Sequence, residues 1–258
     1  MTDERFARAA AFEREILRTT SSRVEPCAFG VAFLQEAFPR RYSSNLLWID
    51  PDARPSSAVA VADEAERVLG GAGLSHRKVV AGGALGRRLA PGLLELGWSA
   101  DHLLVMALER GPDRPASVPV REARFADVRP LLEEGVRRAE PDADEETVRQ
   151  LVAHRRLLEE RVGARFFVSR VDDRDAGVCE LYAARGVAQI EDVETLEELR
   201  GRGAARAAVL AAARAARADG ADLVFLVADD DDWPKELYRR LGFDAVGDTW
   251  EFTRAPTP

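Results

Sequence analysis

Residues 198–209, ELRGRGAARAAV, set two glycines between a charged stretch and a run of alanines with the composition of a helix. A helix N-terminus carries unpaired N–H groups and a partial positive charge, and glycine lets backbone approach an anion closely. The stretch therefore predicts a phosphate site. Gly201 and Gly203 also begin a GxGxxG pattern, but the third glycine position is Arg206, whose side chain would obstruct close helix packing. The segment before it also lacks the buried apolar run of a central parallel strand, so a nicotinamide dinucleotide is not expected. Metal chemistry is not expected either. Cys27 and Cys179 are too few and too far apart for a zinc site, and His76, His102 and His154 form no HExxH or CxxC pairing.

The elements that must position such a loop can be read from periodicity. QIEDVET (189–195) alternates as a strand, GAARAAVLAAARAARADG (203–220) is a Gly-terminated helix, and DLVFLVAD (222–229) is a strand. A helix in WPKELYRRLGF (233–243) and a strand in AVGDTWEFT (245–253) follow. Upstream, residues 125–138 and 144–160 have helical spacing of apolar positions, with Asp127 and Glu145 near their starts. RFFVSRVDDRDAGVCELYAARGVAQIEDV predicts a hairpin around DDRD and a further strand.

The same series occurs earlier in the chain. NLLWID, SSAVAVADEAERVLGGAG, RKVVAG, a short helix around APGLLELGW, and HLLVMAL repeat the order strand, helix, strand, helix, strand within residues 45–108. ELGW and RLGF place glycines at 97 and 242, a separation of 242 − 97 = 145 residues. Repeated order and spacing predict two related α/β lobes, joined near GPDRPASVPV (111–120), where prolines and small residues suit a linker. The chain of 258 residues, 46% hydrophobic and 32% charged, is large enough for two cores of roughly 110 to 140 residues each. Its net charge of −8 disfavours general nucleic-acid binding and mildly favours cationic small molecules. No run suits a membrane span, and the charged MTDERFARAA does not read as a secretory signal, so a soluble cytoplasmic protein is expected.

Residues 118–254 resemble the GCN5-related N-acetyltransferase (GNAT) family in element order: two helices, three antiparallel strands, then helix, strand, helix, strand. Arg200, Gly203 and Ala205 match that family's pyrophosphate pattern of Arg or Gln, two residues, Gly, one residue, and Gly or Ala. IEDVETLEELRGRG resembles its preceding strand and loop, and ELYRRLGF (236–243) its tyrosine-containing helix. The resemblance implies an α/β (α+β) fold of two GNAT-like lobes, each a mixed, mostly antiparallel sheet flanked by helices. It implies a degenerate lobe at 1–115 and an acetyltransferase domain at 118–258.

By the same resemblance, acetyl-CoA is the co-substrate, and a small-molecule or peptide amine is the acceptor. Arg200, Gly201, Arg202, Gly203, Ala204 and Ala205 would wrap the coenzyme's pyrophosphate, and backbone N–H groups of Val193, Glu194 and Thr195 would bind its pantetheine arm and polarise the thioester carbonyl. Glu191, or Glu180 on the neighbouring strand, would be the base, and Tyr238 would protonate the departing thiolate. Asp231 stands where many relatives have an asparagine that contacts the coenzyme; an aspartate can accept hydrogen bonds but cannot donate as an amide does. Thr195 and Glu197 replace the usual valine and proline. The first lobe has PDARPSSAVAVA (51–62) in place of the glycine loop and Leu94 in place of the tyrosine. Its roles would be to wall the acceptor pocket, to bind a regulator or to pair with another subunit, as in a homodimer. The competing function is a coenzyme-binding sensor or scaffold without turnover.

Overall fold

A computed structural model of the protein describes residues 3–256. Two compact units are present. The first comprises Val105–Ala228, Asp232–Val246 and the N-terminal segment up to Glu13; the second comprises Arg14–Leu104, Asp229–Asp231 and the residues from Gly247 onward. These cuts differ from a division at 115–118, because strand pairing and not chain order sets the units. The last strand of the chain, β11 (Phe243–Arg254), is an example: its end pairs antiparallel with β4 (Arg77–Gly82), from Thr249↔Gly82 to Arg254↔Arg77.

In the second unit, β1 (Arg23–Cys27), β2 (Gly30–Leu34), β3 (Leu46–Ile49), β4 and β11 lie in that order. All neighbours are antiparallel except β3 and β4. A parallel pair needs a crossover, and α2 (Ala58–Ala65) supplies it, capped by the Ser57 hydroxyl accepting from the Ala60 N–H. α3 (Gly83–Glu95) then leads to β5 (Ser99–Leu108). α3 starts seven residues before the predicted APGLLELGW, since 90 − 83 = 7, and carries Pro91 inside it. Leu47, Ile49, Leu69, Val79, Leu93 and Phe252 share this unit's core. The edge strand β1, RVEPC, was not legible in the sequence because Pro and charged residues break the apolar alternation.

The first unit has the order β5-β10-β9-β8-β7-β6, built from β6 (Val120–Ala123), β7 (Arg165–Val171), β8 (Arg174–Ala184), β9 (Val187–Thr195) and β10 (Leu223–Asp229). β6 to β9 pair antiparallel, and β9 and β10 pair parallel. Asp172 and Asp173, both at positive φ, turn the DDRD hairpin. α4 (Phe125–Ala139) packs Val128, Leu132 and Val136 against Phe166, Val168 and Val178 of the sheet. α5 (Glu145–Val162) is capped by Asp144, which accepts from the Thr147 N–H at 2.8 Å, and stopped by Gly163 at φ +70°. α6 (Ala204–Ala218) is the crossover between β9 and β10, and α7 (Pro234–Leu241) precedes β11. The result is the mixed, mostly antiparallel α/β architecture that the sequence predicts.

Candidate active site

The site begins with a defect in β9. Between the pairs Val178↔Glu194 and Glu180↔Glu191, β8 has one residue, Cys179, while β9 has two, Asp192 and Val193. This is a bulge, with Asp192 in the left-handed region at φ +49°. On its other edge β9 pairs with β10 only from Val187↔Leu223 to Ile190↔Leu226, although β9 continues to Thr195 and β10 to Asp229. Two strands that part in this way leave backbone N–H and C=O groups with no ladder partner. A cleft of about 720 Å³ opens there, lined by Val193, Glu194, Thr195, the start of α6, and Leu237 and Tyr238 of α7. The Thr195 hydroxyl is buried and has no partner among the described residues.

The phosphate loop forms the next wall. Gly201 has φ +73° and Gly203, the residue before α6, has φ +88°, so both positions favour glycine. A side-chain carbon at Gly203 would also lie 2.8 Å from the Ser117 hydroxyl. Arg200, Gly201, Gly203, Ala204 and Ala205 all line the cleft. Arg202 does not: it is exposed and forms a bidentate pair with Asp172 at 2.5 and 2.7 Å. Arg206 lines the cleft instead, with Arg114, Arg138 and Arg240. Asp231 also departs from expectation. It is exposed, its N–H bonds the Asp229 carboxylate at 2.8 Å, and the neighbouring Asp232 lines the cleft in its place.

Tyr238 is 7% exposed, with its ring edge-on to Phe243. Burial raises its phenol pKa well above the ordinary 10.0, and the nearby charge of Glu191 raises it further, so the hydroxyl keeps its proton. Glu191 is half-buried, accepts from the Gln189 amide at 2.5 Å, and lies beside the cleft rather than in its lining. Glu180 is in another situation. It is fully buried, binds Arg155 at 2.7 Å and accepts from the Tyr182 hydroxyl. Taking a proton there would break a buried ion pair, so Glu180 is poorly placed as a base.

Arg155, from α5, is 5% exposed and also contacts the Asp192 carboxylate, with Glu194 at 4.0 Å. One guanidinium thus ties the bulge of β9 to β8 and α5. Burial lowers its pKa, but Glu180 and the other acidic neighbours outweigh this and raise it. Glu194 is raised by burial, with Arg155 opposing. A Cβ at Gly135 of α4 would meet the end of the Glu194 side chain, so a larger residue there would make that carboxylate shift. Cys179 lies behind the bulge, and burial holds its thiol protonated. Sequence reasoning missed Arg155, Asp192 and Arg206. Only their helical or strand position was legible, and each gains its meaning from a partner more than 20 residues away or from a backbone defect.

A Pro at the first position of α7 and Trp233 before it complete the wall, with Trp233 61% exposed. Residues 126–243 match the acetyltransferase (GNAT) family. The matched segment contains the bulge, the phosphate loop and Tyr238. Among solved structures, a GCN5-related N-acetyltransferase from Kribbella flavida is 19% identical with a TM-score of 0.63, covering 98% of this chain and 96% of that one. A functionally unknown conserved protein from Staphylococcus epidermidis is 16% identical with a TM-score of 0.70, covering 92% and 95%. A GCN5-related N-acetyltransferase from Sphaerobacter thermophilus is 19% identical with a TM-score of 0.54, covering 78% and 68%. At these identities the likeness is one of fold. No curated protein matches the chain. Among the described residues, no cluster of His, Cys, Asp and Glu could hold a metal, and no helix is long and apolar enough to cross a membrane.

Proposed function

We propose that the protein transfers an acetyl group from acetyl-CoA to a primary amine by direct attack. The observation that carries this reading is the cleft itself. It sets a glycine-opened helix N-terminus, suited to a diphosphate, beside the bulged end of β9, suited to a thioester, with a protonated tyrosine on the same wall. In the reaction the amine nitrogen attacks the thioester carbonyl, whose oxygen takes the developing charge. Backbone N–H groups at Val193 to Thr195 that face away from β8 stabilise that oxyanion. The C–S bond then breaks, and Tyr238 gives its proton to the thiolate. Glu191 accepts the proton of the amine, through water where the amine is out of direct reach. A direct route also suits Cys179, whose protonated, buried thiol is a poor nucleophile.

We also read residues 1–115 as a degenerate copy of the acetyltransferase domain. β2, β3 and β4 pair antiparallel and then parallel across a helix, as β8, β9 and β10 do, which supports a common origin. Tyr238 lies four residues before Gly242, and Leu93 lies four before Gly97; Leu93 is fully buried while Leu94 is 53% exposed. The counterpart of the tyrosine is therefore Leu93, which corrects the assignment to Leu94. In the copy, Ser57 caps α2 by accepting from the Ala60 N–H, and no glycine precedes the helix to let a diphosphate approach the backbone closely. Acetyl-CoA should raise the melting temperature, by the stabilisation of roughly 2.7 kcal/mol that ligand at about 100 times its dissociation constant provides, while NADH should not. An amine panel followed by free thiol release from acetyl-CoA then tests turnover. Thermal shifts with acyl-CoA but no thiol release with any amine would favour the sensor over the enzyme.

A further inference from the structure

The buried side of the phosphate loop contains an arginine that the diphosphate reading does not use. Arg206, in the first turn of α6, is 3% exposed and lines the cleft. Its Nη1 donates to the Asp113 carboxylate at 2.6 Å and to the Arg114 carbonyl at 3.1 Å, while its Nη2 is buried with no hydrogen-bond partner among the described residues. A buried guanidinium N–H left unpaired is costly, so this donor, on a side chain that lines the cleft, would gain from an acceptor bound beside it. The segment that holds Arg206 is fixed at its other end as well. The Asp113 N–H donates to the Arg240 carbonyl at the end of α7 at 2.9 Å. Asp113 therefore bridges the start of α6 and the end of α7, and brings Arg114, Arg206 and Arg240 to one end of the cleft. Ser117, in the same segment, lies against Gly203.

The local charge points to an anion. Arg206 and Asp113 offset each other, which leaves the exposed Arg114 and Arg240 as an excess of positive charge on a chain whose net charge is −8. Asp232 is the acidic side chain that lines the cleft next to α7, and it does not cancel both. We propose that Arg114, Arg206 and Arg240 form a second anion subsite, separate from the diphosphate loop, which takes the 3′-phosphomonoester of coenzyme A and is assembled by Asp113. A phosphomonoester presents three acceptor oxygens, which suits the unpaired Nη2 and two flexible guanidinium groups. The subsite rests on the coenzyme reading above and adds to it a discrimination between coenzyme A and its dephosphorylated form.

Calorimetric titration of the intact chain with coenzyme A and with 3′-dephospho-coenzyme A tests it. The wild type should bind the dephosphorylated form about ten-fold or more weaker, as expected when charge-assisted hydrogen bonds are lost. Arg114→Ala and Arg240→Ala, at exposed positions that do not threaten folding, should weaken coenzyme A toward the dephospho value and leave the dephospho form unchanged. Equal affinity of the two ligands in the wild type would overturn the subsite while leaving the coenzyme reading in place. Substitutions that weaken both ligands alike would do the same. Binding of neither ligand would overturn the coenzyme reading and the subsite together. Arg206→Gln, at a buried position, is to be read only beside a melting curve that matches the wild type.

Discussion

At the scale of single residues, the catalytic assignments rest on Tyr238 and Glu191. Tyr238→Phe keeps the ring that packs on Phe243 and removes the hydroxyl. Turnover should fall by about 10² to 10⁴, the usual worth of a general acid, while the dissociation constant of acetyl-CoA changes little. Unchanged turnover with the best amine of the panel would make Tyr238 a packing residue. The sign of its pKa shift adds a pH dependence. A phenol raised above 10.0 stays protonated below that pH, so the wild-type rate should show no alkaline fall from loss of this proton up to pH 10. Glu191→Gln keeps the size of the side chain and removes the base. The rising limb of the pH–rate profile should flatten, and a profile identical to wild type would exclude Glu191 as the group responsible.

At the scale of elements, the cleft depends on how α5 and α6 meet the sheet. Arg155 joins α5 to β8 through Glu180 and to the bulge of β9 through Asp192. Removing one partner of a buried ion pair typically costs about 3–5 kcal/mol, because the remaining charges lose compensation. Arg155→Met should therefore lower stability by that order in a denaturant titration, and adding Glu180→Gln should recover part of the loss. A near-neutral single substitution would mean that the bulge is held by the backbone ladder alone. Gly203→Ala forces a side chain into φ +88° and toward Ser117. The left-handed conformation costs about 1–2 kcal/mol, and coenzyme affinity should fall as the loop shifts. Unaltered affinity and melting temperature would show that the loop can rearrange at no cost.

At the scale of the whole molecule, the crossover helix between the parallel strands is opened by Gly203 at positive φ in the first unit and by Ser57 in the second. Titration of the intact chain should thus give one coenzyme site per chain. Ser57→Glu removes the cap of α2 and should cost about 0.5–2 kcal/mol of stability at most, with coenzyme affinity nearly intact. Two equivalent sites, or loss of binding from the Ser57 substitution, would place the coenzyme in the other unit. The pairing of β11 with β4 has a further consequence. A fragment that begins at 118 lacks β4 and β5, and so leaves the end of β11 without the partner it has in the intact protein.

The sequence determined what local chemistry can determine. Alternation marked QIEDVET and DLVFLVAD, alanine content and a glycine stop marked α6, and Gly201 and Gly203 adopt the left-handed backbone that their lack of a side chain allows. Tyr238 was legible because its helix is short, strongly patterned and closed by Gly242. Other features were set by residues far apart in the chain. The bulge at Asp192 leaves no mark in a strand's alternation until its register with β8 is known. The turning of Arg202 to Asp172, the bridge from Arg206 through Asp113 to α7, and the pairing of β11 with β4 each join segments separated by 30 to 177 residues. Propensity acts over a few neighbouring residues. Ion pairs and strand ladders act between whichever surfaces the fold brings within hydrogen-bonding distance, and only the tertiary structure decides which surfaces those are.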